Sequence, residues 1–403
     1  MNDSKLLTGI REDILRQTGN IRKQQLTWRR HFHRHPELSF HEFETTARLK
    51  EITRQLGLKR LPLKMETGLL AELVGRKNGP TVAIRTDIDA LPITEQTNLP
   101  FKSKNIGCMH ACGHDMHIAT VLGAAAILSA MKSELPGNVR FIFQPAEEMP
   151  PGGARPMIAN GALDDVSMIF GLHVDPNLPV GKISLRDGIA MASVTDFDLI
   201  IHGRAVHAAR PQDGVDAIAV AAEVIESIQK IVSREIDPIT PAVITFGKIS
   251  GGMTRNTIAN RVVLNGTARA LSDRTGSRIR ALVKRTVSSV CRARGARAEI
   301  KIVSGYPALT NNARVNRLLD RNFAALYGSR NVKVTELVMG AEDFAYYLKE
   351  VPGAMFRLGI RNKKIGADKP WHSPMFVADE IALSFGSALL AAAAFDALSS
   401  LDQ

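Results

Sequence analysis

Two hydrophobic patterns alternate along the first half of the chain, one typical of helices and one typical of strands. In chain order, the pattern predicts helices over residues 4–34, 42–56 and 118–131, and strands over residues 70–74, 81–85, 139–143 and 168–172, the last of which ends at His173. A turn that contains Gly, Lys and Asn joins the first two strands. Strands that alternate with helices predict an α/β domain with a mostly parallel sheet.

The pattern changes from about residue 192. From there it predicts a strand over 196–202, a helix over 213–234, strands over 242–248 and 261–271, a helix over 274–294 and a strand over 298–303. The order β-α-β-β-α-β is that of a ferredoxin-like α+β domain. The α/β pattern resumes after Gly305. We therefore expect a discontinuous domain of residues 1–191 and 306–403, into which residues 192–305 are inserted.

The composition indicates a folded protein and narrows the choice of partners. Of the 403 residues, 45% are hydrophobic and 23% are charged, as in ordinary globular proteins. The net charge of +12 favours anionic partners, including a carboxylate substrate. Nucleic-acid binding explains this charge less well, because the basic residues are spread out and aromatic residues make up only 5%. The apolar stretches at 118–131 and 381–398 contain Gly or Ser and indicate buried helices rather than membrane spans.

The cysteines and the first residues indicate the compartment. Cys108 and Cys112 are close in sequence and Cys291 is far away, so they form no disulfide framework and a reducing compartment is expected. No apolar run follows Met1, so we expect no secretory signal and a cytoplasmic location.

Acidic residues follow two of the predicted strands. Asp87 and Asp89 come directly after the strand over 81–85, and Glu147 and Glu148 follow the strand over 139–143. Functional residues of α/β proteins gather at such strand ends. Adjacent side chains on extended chain point in opposite directions, so one glutamate could bind a metal while its neighbour acts as a general base. The alternatives are an Asp-containing turn and a solvated acidic loop.

The segment from Cys108 to His117 is dense in potential metal ligands. It contains Cys108, His110, Cys112, His114 and His117, and thiolate and imidazole are ligands that zinc and similar metals prefer. One alternative is a set of inert structural side chains. Another is a local zinc knuckle, although the paired C-x₂-C spacing of such sites is missing. His173 and His372, each taken alone, are more typical of structural histidines.

Ten segments together resemble one known family across nearly the whole chain. The family is the amidohydrolase branch of the di-metal aminoacylase and carboxypeptidase G-like metallopeptidases, which includes hippurate hydrolases, N-acetyl-diaminopimelate deacetylases and auxin-conjugate hydrolases. The matching segments are 33–37, 85–92, 110–117, 144–148, 152–154, 171–173, 207–209, 266–269, 339–344 and 372–374.

The resemblance implies a site for two divalent metal ions, Mn²⁺ or Zn²⁺. It places the metal ligands at Cys112, His114, Glu148, His173 and His372. It makes Glu147 the general base and Asp87 the acid that supports the metal cluster. The implied fold is a di-metal peptidase domain with an inserted ferredoxin-like domain.

The resemblance also implies a role for the inserted domain. There His207 would stabilise the developing oxyanion in the active site of a partner subunit, and Asn256 and Arg269 would lie near the substrate carboxylate. A homodimer through residues 192–305 is therefore expected, with a hinge near Ala192 and Gly305. The alternative is that His207 caps a strand before the helix predicted from Asp213.

The segments around these residues depart from the family pattern. Residues 204–206 replace the glycines that usually precede the lid histidine, Ala259 replaces the Pro that usually follows the Asn-x-Ile motif, and the loop 149–151 is one residue longer than usual.

We therefore expect a hydrolase that cleaves the amide bond of N-acyl amino acids to a carboxylic acid and a free amino acid. A dipeptidase or carboxypeptidase with the same site is the nearer alternative. A catalytically inactive binding protein is the more distant one. No membrane or nucleic-acid partner is expected.

Overall fold

The computed structural model describes residues 3–75 and 79–401, and the turn predicted between the first two strands includes residues 76–78, outside that part. The helices are α1 (Asp3–Arg34), α2 (Phe43–Gln55), α3 (His114–Ala130), α4 (Ala154–Ala159), α5 (Ala217–Arg234), α6 (Asp273–Ala293), α7 (Ala313–Tyr327), α8 (Tyr347–Glu350) and α9 (Ala382–Leu401). The strands are β1 (Lys59–Arg60), β2 (Leu69–Val74), β3 (Thr81–Asp87), β4 (Asn138–Gln144), β5 (Val166–Pro179), β6 (Ile183–Leu185), β7 (Gly188–Met191), β8 (Ser193–His202), β9 (Ala242–Gly251), β10 (Arg261–Ala270), β11 (Arg297–Ser304), β12 (Leu309–Asn311), β13 (Val332–Val334) and β14 (Gly353–Arg361).

The chain divides into two units. Unit 1 comprises Met1–Gly188, Thr310–Glu336 and Asp343–Gln403, and unit 2 comprises Ile189–Leu309 and Leu337–Glu342. The boundaries expected from the sequence, after residues 191 and 305, differ from these by a few residues. The hydrophobic pattern gives no sign that the segment 337–342 returns to unit 2.

Unit 1 is built on an eight-stranded mixed sheet in the order β1-β2-β4-β3-β5-β14-β6-β13. The central strands β4, β3, β5 and β14 are parallel to one another, as the α/β prediction requires. Their side chains are almost entirely buried, which is typical of parallel strands covered by helices. The α/β class with a mostly parallel central sheet is thereby confirmed.

Helices α1, α3 and α9 pack on one another in the core of unit 1. A buried hydrogen bond from Gln25 Nε2 to Ser387 Oγ, 2.6 Å long, joins α1 to α9, and Ser387 Oγ donates to Thr120 O of α3. Of the described helices, α9 alone is long and apolar enough to cross a membrane, and 83% of its apolar window is buried inside the protein. A helix that is apolar on all sides belongs in a core, as the sequence predicts for this segment.

Unit 2 contains the element order β8-α5-β9-β10-α6-β11, which is the β-α-β-β-α-β order predicted from the sequence. Its antiparallel sheet has the order β11-β8-β10-β9, so β9 is an edge strand. The apolar faces of α5 and α6 cover one side of this sheet with residues such as Val224, Ile228 and Val287.

Three predicted element boundaries differ from the structure by four residues or more. Strand β5 does not end at His173 but continues to Pro179, because it keeps pairing with β14 after its pairing with β3 ends at Gly171. Pro176 and Pro179 lie beyond the part of β5 that pairs with β3, so their missing N–H groups remove no hydrogen bond to β3. Helix α3 begins four residues earlier than the apolar pattern suggests, because buried polar side chains form its first turn.

The third error concerns α5, which begins at Ala217 rather than at Asp213. Pro211–Asp213 form a separate short turn, and Gly214 is extended. The side chain of Asp216 then accepts hydrogen bonds from the backbone N–H groups of Ile218 and Ala219, as an N-cap residue does.

Candidate metal centre

Three neighbouring parallel strands bring predicted site residues of unit 1 to one level. Asp87 ends β3 directly opposite Gln144, which ends β4. Arg85 is paired with Gly171 of β5, so His173, two residues further along, lies level with Asp87. The glutamate pair Glu147 and Glu148 follows β4 after two residues. Sheet register therefore brings together segments that are far apart in sequence.

Helix α3 begins at the site because Gly113 precedes it in a left-handed conformation, with a φ of 87°. A Cβ atom at Gly113 would lie 2.5 Å from Cγ2 of Val174, so only glycine fits between β5 and the helix start. His114 and His117 are three residues apart and share one face of the first turn.

The five predicted metal ligands lie together. The distance from Cys112 Sγ to His173 Nε2 is 3.4 Å, and Glu148 Oε1 lies 3.8 Å from His114 Nε2 and 3.5 Å from His372 Nε2. Candidate ligand atoms of Cys112, His114 and His173 form one group within 4.8 Å, and those of Cys112, Glu148 and His372 form another. The two groups share Cys112.

Two of these atoms are buried without a hydrogen-bond partner among the described residues, namely His114 Nε2 and Glu148 Oε1. A buried polar atom without a partner is costly unless something else binds it. Thiolate, imidazole and carboxylate are the donors that Zn²⁺ prefers, and imidazole and carboxylate also suit Mn²⁺. The residues therefore fit a pair of divalent cations.

Hydrogen bonds to Nδ1 fix the ring orientation of His114 and His173, so that Nε2 of each faces the centre. His114 Nδ1 donates to the backbone oxygen of Asp89 at 2.9 Å and lies 3.2 Å from Asp89 Oδ1. His173 Nδ1 donates to Val174 O at 2.8 Å. Both Nε2 atoms are thereby left as lone-pair donors, which is how metal-binding histidines are usually held.

His117 differs from these two histidines because both of its ring nitrogens are occupied. Its Nδ1 donates to Asp87 Oδ1 at 2.7 Å, and its Nε2 accepts the backbone N–H of Val174 at 2.9 Å. His117 therefore joins Asp87 to β5 and has no lone pair for a metal. The count of potential ligands between Cys108 and His117 overstates the metal-binding set for this reason.

The charges around the centre are strongly negative. Burial lowers the pKa of a histidine, but Asp87, Asp89 and Glu148 outweigh burial and raise the pKa of His114 to about 10. Burial and the neighbouring Glu148 and Glu147 carboxylates raise the pKa of the Cys112 thiol well above its usual range. A bound cation removes both effects, since it offsets the carboxylates and stabilises the thiolate.

Asp87 is held in the ionised form. Burial alone would raise its pKa, but His114, His117 and Arg85 hold the pKa of Asp87 well below its usual range. Arg85 donates from one guanidinium nitrogen to Asp87 Oδ2 at 2.9 Å, from another to Asp343 Oδ1 at 2.7 Å, and from Nε to Gln144 Oε1 at 2.9 Å. This fully buried arginine thus joins the ends of β3 and β4.

Glu147 lies beside the ligands rather than pointing away from them. Oxygens of Glu147 and Glu148 and a nitrogen of His114 lie within 4.8 Å of one another. Adjacent side chains were expected to point in opposite directions, but this holds only for extended chain. Glu147 and Glu148 lie in a bend, and Ala146, just before Glu147, has a φ of 52°. Glu147 is 7% exposed, so its carboxylate is held in a largely dry environment.

His372 lies on the open side of the centre, with 53% of its side chain exposed. Its backbone is left-handed, with a φ of 62°, and its N–H donates to Ala111 O at 2.9 Å. The indole Nε1 of the preceding Trp371 donates to Val174 O. These bonds bring a segment close to the C-terminus against the chain around Cys112.

The predicted site residues of the inserted domain, His207, Asn256 and Arg269, lie in unit 2. His207 and Asn256 are exposed and belong to two paired loops, in which Ala208 N donates to Asn256 O at 2.9 Å. His207 is not at the end of β8, which stops at His202. Arg269 lies near the opposite end of β10 from these loops, and at about 3.4 Å per residue the length of that strand separates them by roughly 27 Å.

Asp89 and Asp343 are not among the predicted site residues, but both belong to the hydrogen-bond network around the centre. Asp343 accepts hydrogen bonds from Arg85, from Gln144 Nε2 at 2.7 Å and from Ala154 N at 3.0 Å. Asp89 could have been identified from its place two residues after Asp87, just past the end of the same strand. Asp343 lies in the family-matching segment 339–344, which is the signal that could have identified it, although its partners are more than a hundred residues away in sequence. The buried Cys, His and carboxylate side chains gathered at one edge of the sheet are typical of a metal-dependent enzyme.

Comparison with known proteins supports this class. The model of peptidase family M20/M25/M40 matches residues 83–395. N-acetyl-L-cysteine deacetylase of Bacillus subtilis is 40% identical over 363 residues, which is 90% of this chain and 85% of that protein. Thermostable carboxypeptidase 1 of Saccharolobus solfataricus is 40% identical over 362 residues, which is 89% of this chain and 91% of that protein.

A solved structure agrees with the sequence matches. The crystal structure of the Bacillus subtilis YXEP protein, a dinuclear metal binding peptidase from the M20 family, superposes with a TM-score of 0.82. That protein is 36% identical, and the match covers 94% of this chain and 99% of the other. The chain therefore belongs to peptidase family M20/M25/M40 and is a metal-dependent hydrolase of amide bonds.

Proposed function

We propose that this protein hydrolyses N-acyl amino acids to a carboxylic acid and a free amino acid. The observation that carries the proposal is the cluster of five ligand side chains in which His114 Nε2 and Glu148 Oε1 are buried without partners. The relative named N-acetyl-L-cysteine deacetylase, at 40% identity, supports this substrate class.

Two divalent ions, Mn²⁺ or Zn²⁺, are the proposed cofactors. Cys112, His114, Glu148, His173 and His372 would hold them. The ions supply Lewis acidity that polarises the amide carbonyl and makes water easier to deprotonate.

Glu147 is the proposed general base, because it is buried beside the ligands and is not needed to complete either group of candidate ligands that contains Cys112. Its carboxylate accepts a proton from the attacking water and then donates that proton to the leaving amine. Asp87 keeps its negative charge and orients His117, and Arg85 fixes Asp87 from the other side.

Unit 2 is proposed to bind the substrate and to join two chains into a homodimer. The separation of His207 and Arg269 along β10 supports this arrangement, since two chains could each contribute one of them to a shared site. We assign oxyanion stabilisation to His207 and contact with the substrate carboxylate to Asn256 and Arg269. The edge strand β9 exposes Ile249, which suits pairing with another copy.

A carboxypeptidase or dipeptidase is the second candidate, favoured by the 40% identity to Thermostable carboxypeptidase 1. An inactive binding protein is less favoured, because Glu147 and all five candidate ligands lie together. We place the enzyme in the cytoplasm, since Cys108, Cys112 and Cys291 are free thiols as expected in a reducing compartment.

The deciding experiment compares N-acetyl, N-benzoyl and dipeptide derivatives of the same amino acids on purified protein loaded with Mn²⁺ or Zn²⁺. We expect faster release of amino acid from the acyl derivatives, loss of activity with a chelator and recovery on adding metal. Cys112→Ala should bind less metal and stay folded, since the hydrophobic core does not depend on the ions. Preference for dipeptides would support the second candidate, and full activity in metal-free protein would exclude the mechanism.

A further inference from the structure

Glu42, a fully buried carboxylate next to the start of α2, receives two unusual backbone donors. Its Oε1 accepts the N–H of Phe40 at 3.0 Å and the N–H of Ala146 at 2.8 Å. Phe40 and Ala146 are two of the four described non-glycine residues with a positive φ, at 64° and 52°. L residues adopt this conformation only where surrounding contacts hold them in it. One oxygen therefore stabilises two strained positions, and one of them directly precedes Glu147.

A second contact reaches the other side of Glu147 from the same segment. Ser39 Oγ donates to Asp89 Oδ2 at 2.6 Å, and the same oxygen accepts the backbone N–H of Glu148 at 3.0 Å. The segment Ser39–Glu42 thus holds the chain before Glu147 directly and the chain after Glu147 through Asp89. The loop is also closed on itself, because Gly153 N donates to Ala146 O at 3.0 Å.

Glu42 does not serve its own helix in the usual way. Its side chain makes no capping hydrogen bond to α2. The free N–H groups of the first turn are bound instead by Glu37, whose two carboxylate oxygens accept from Glu44 N at 3.1 Å and Thr45 N at 2.7 Å. Helix capping therefore does not explain why a carboxylate is buried at position 42, whereas the loop contact does.

We propose that Glu42 is a positioning residue that holds the Glu147–Glu148 loop in the conformation that binds metal, and that Ser39 supports the same loop through Asp89. Glu42 acts through the backbone of Ala146 and does not touch the reacting groups. This inference rests on the metal centre of the proposed function, but it concerns the geometry of the loop and not the identity of the substrate.

The test uses full-length protein with Glu42→Ala, Glu42→Gln and the matched control Glu37→Ala. Metal content per chain and Mn²⁺ affinity are measured by elemental analysis and calorimetry, and kcat and KM are measured on the best substrate. Residues that support metal ligands from outside usually change affinity or activity about 10–100-fold when removed, and we expect Glu42→Ala to lower Mn²⁺ affinity and kcat within that range. Glu42→Gln keeps an acceptor oxygen and should remain within about threefold of the wild type.

Glu37→Ala should lower the unfolding temperature through loss of the α2 cap while leaving Mn²⁺ affinity unchanged. If Glu42→Ala does not fold, Ser39→Ala tests the same device, with an expected loss of Mn²⁺ affinity of about threefold to tenfold. Wild-type Mn²⁺ affinity in the folded Glu42→Ala protein, or in Ser39→Ala where the first variant does not fold, would overturn the proposal. A wild type that binds metal but hydrolyses no acyl amino acid would instead contradict the proposed function, and the affinity series would still test Glu42.

Discussion

At the scale of single residues, the environment of His114 suits a bound cation. Three carboxylates surround this buried imidazole, and they raise its pKa to about 10 even though burial opposes the charge. A proton can satisfy that excess negative charge, but so can a divalent ion bound at Nε2. Occupation of the centre by metal is therefore expected to displace protons, and metal affinity should fall as the pH is lowered.

The adjacent glutamates allow a test of their separate roles. Glu147→Gln keeps the shape of the side chain but cannot accept a proton, so turnover should fall on the order of 10²–10⁴-fold while metal content is unchanged. Glu148→Gln should instead reduce metal content, because it removes a charged ligand. Elemental analysis and steady-state kinetics measure both effects, and the exposed Glu134→Gln is the control. Equal metal loss in the two variants would show that the roles are assigned wrongly.

The pKa of Glu42 predicts how the free energy of unfolding changes with pH. Burial and the nearby Asp89 raise the pKa of Glu42 from its ordinary 4.5 to about 7. Because the folded state holds this proton more tightly than the unfolded state, the stabilising contribution is present below pH 4.5 and is lost as the pH rises toward 7, by up to about 3 kcal/mol.

Glu42→Gln cannot titrate, so its free energy of unfolding relative to the wild type should improve steadily over this pH range. Urea unfolding of metal-free wild type and Glu42→Gln at several pH values measures that difference. A difference that is constant with pH would contradict the raised pKa.

At the scale of secondary-structure elements, the start of α3 sets the position of His114. Gly113 is left-handed and leaves no room for a Cβ beside Val174, whereas Gly57 is left-handed with open space around it. Gly57→Ala should therefore cost about 1 kcal/mol of unfolding free energy, the ordinary penalty of this conformation, and Gly113→Ala clearly more. Only Gly113→Ala should weaken metal binding. Thermal unfolding and Mn²⁺ titration of the two variants check this, and equal effects would mean that the contact with Val174 has no influence on the site.

The elements that the sequence predicts best are those whose pattern depends on burial alone. The buried strands β3 and β4 and the amphipathic helix α6 are found within a few residues of their predicted bounds. The beginning of α3 and the end of β5 are missed, because there buried polar residues and prolines are stabilised by neighbours distant in the chain. Cys112, His114 and the pair Glu147 and Glu148 stand out by residue type, whereas His173 and His372 are picked out only by the family resemblance. The resemblance also covers the segment 339–344, but it does not predict that Asp343 contacts the ends of β3 and β4.

At the scale of the whole molecule, the proposed dimer predicts complementation between inactive chains. A His207→Ala chain keeps Glu147, and a Glu147→Gln chain keeps His207, so a hybrid of the two would contain one complete site. Equal mixing should restore about a quarter of the wild-type activity, because half of the dimers are hybrids and each has one working site. Subunit exchange is verified with differently tagged chains. Exchange without recovery of activity would confine each site to one chain and return His207 to a structural role.

The packing of α9 against α1 and α3 has a consequence for biosynthesis. The helix that fills the centre of unit 1 is encoded at residues 382–401, whereas most of unit 2 is encoded before residue 310. On the ribosome, the contiguous part of unit 2 leaves the exit tunnel while the partner of Gln25 on α9 has not yet been translated. Domains generally fold as units during synthesis. We therefore expect a nascent chain in which unit 2 begins to fold before unit 1 is complete, and in which ions are captured only after the segment that contains His372 has left the exit tunnel.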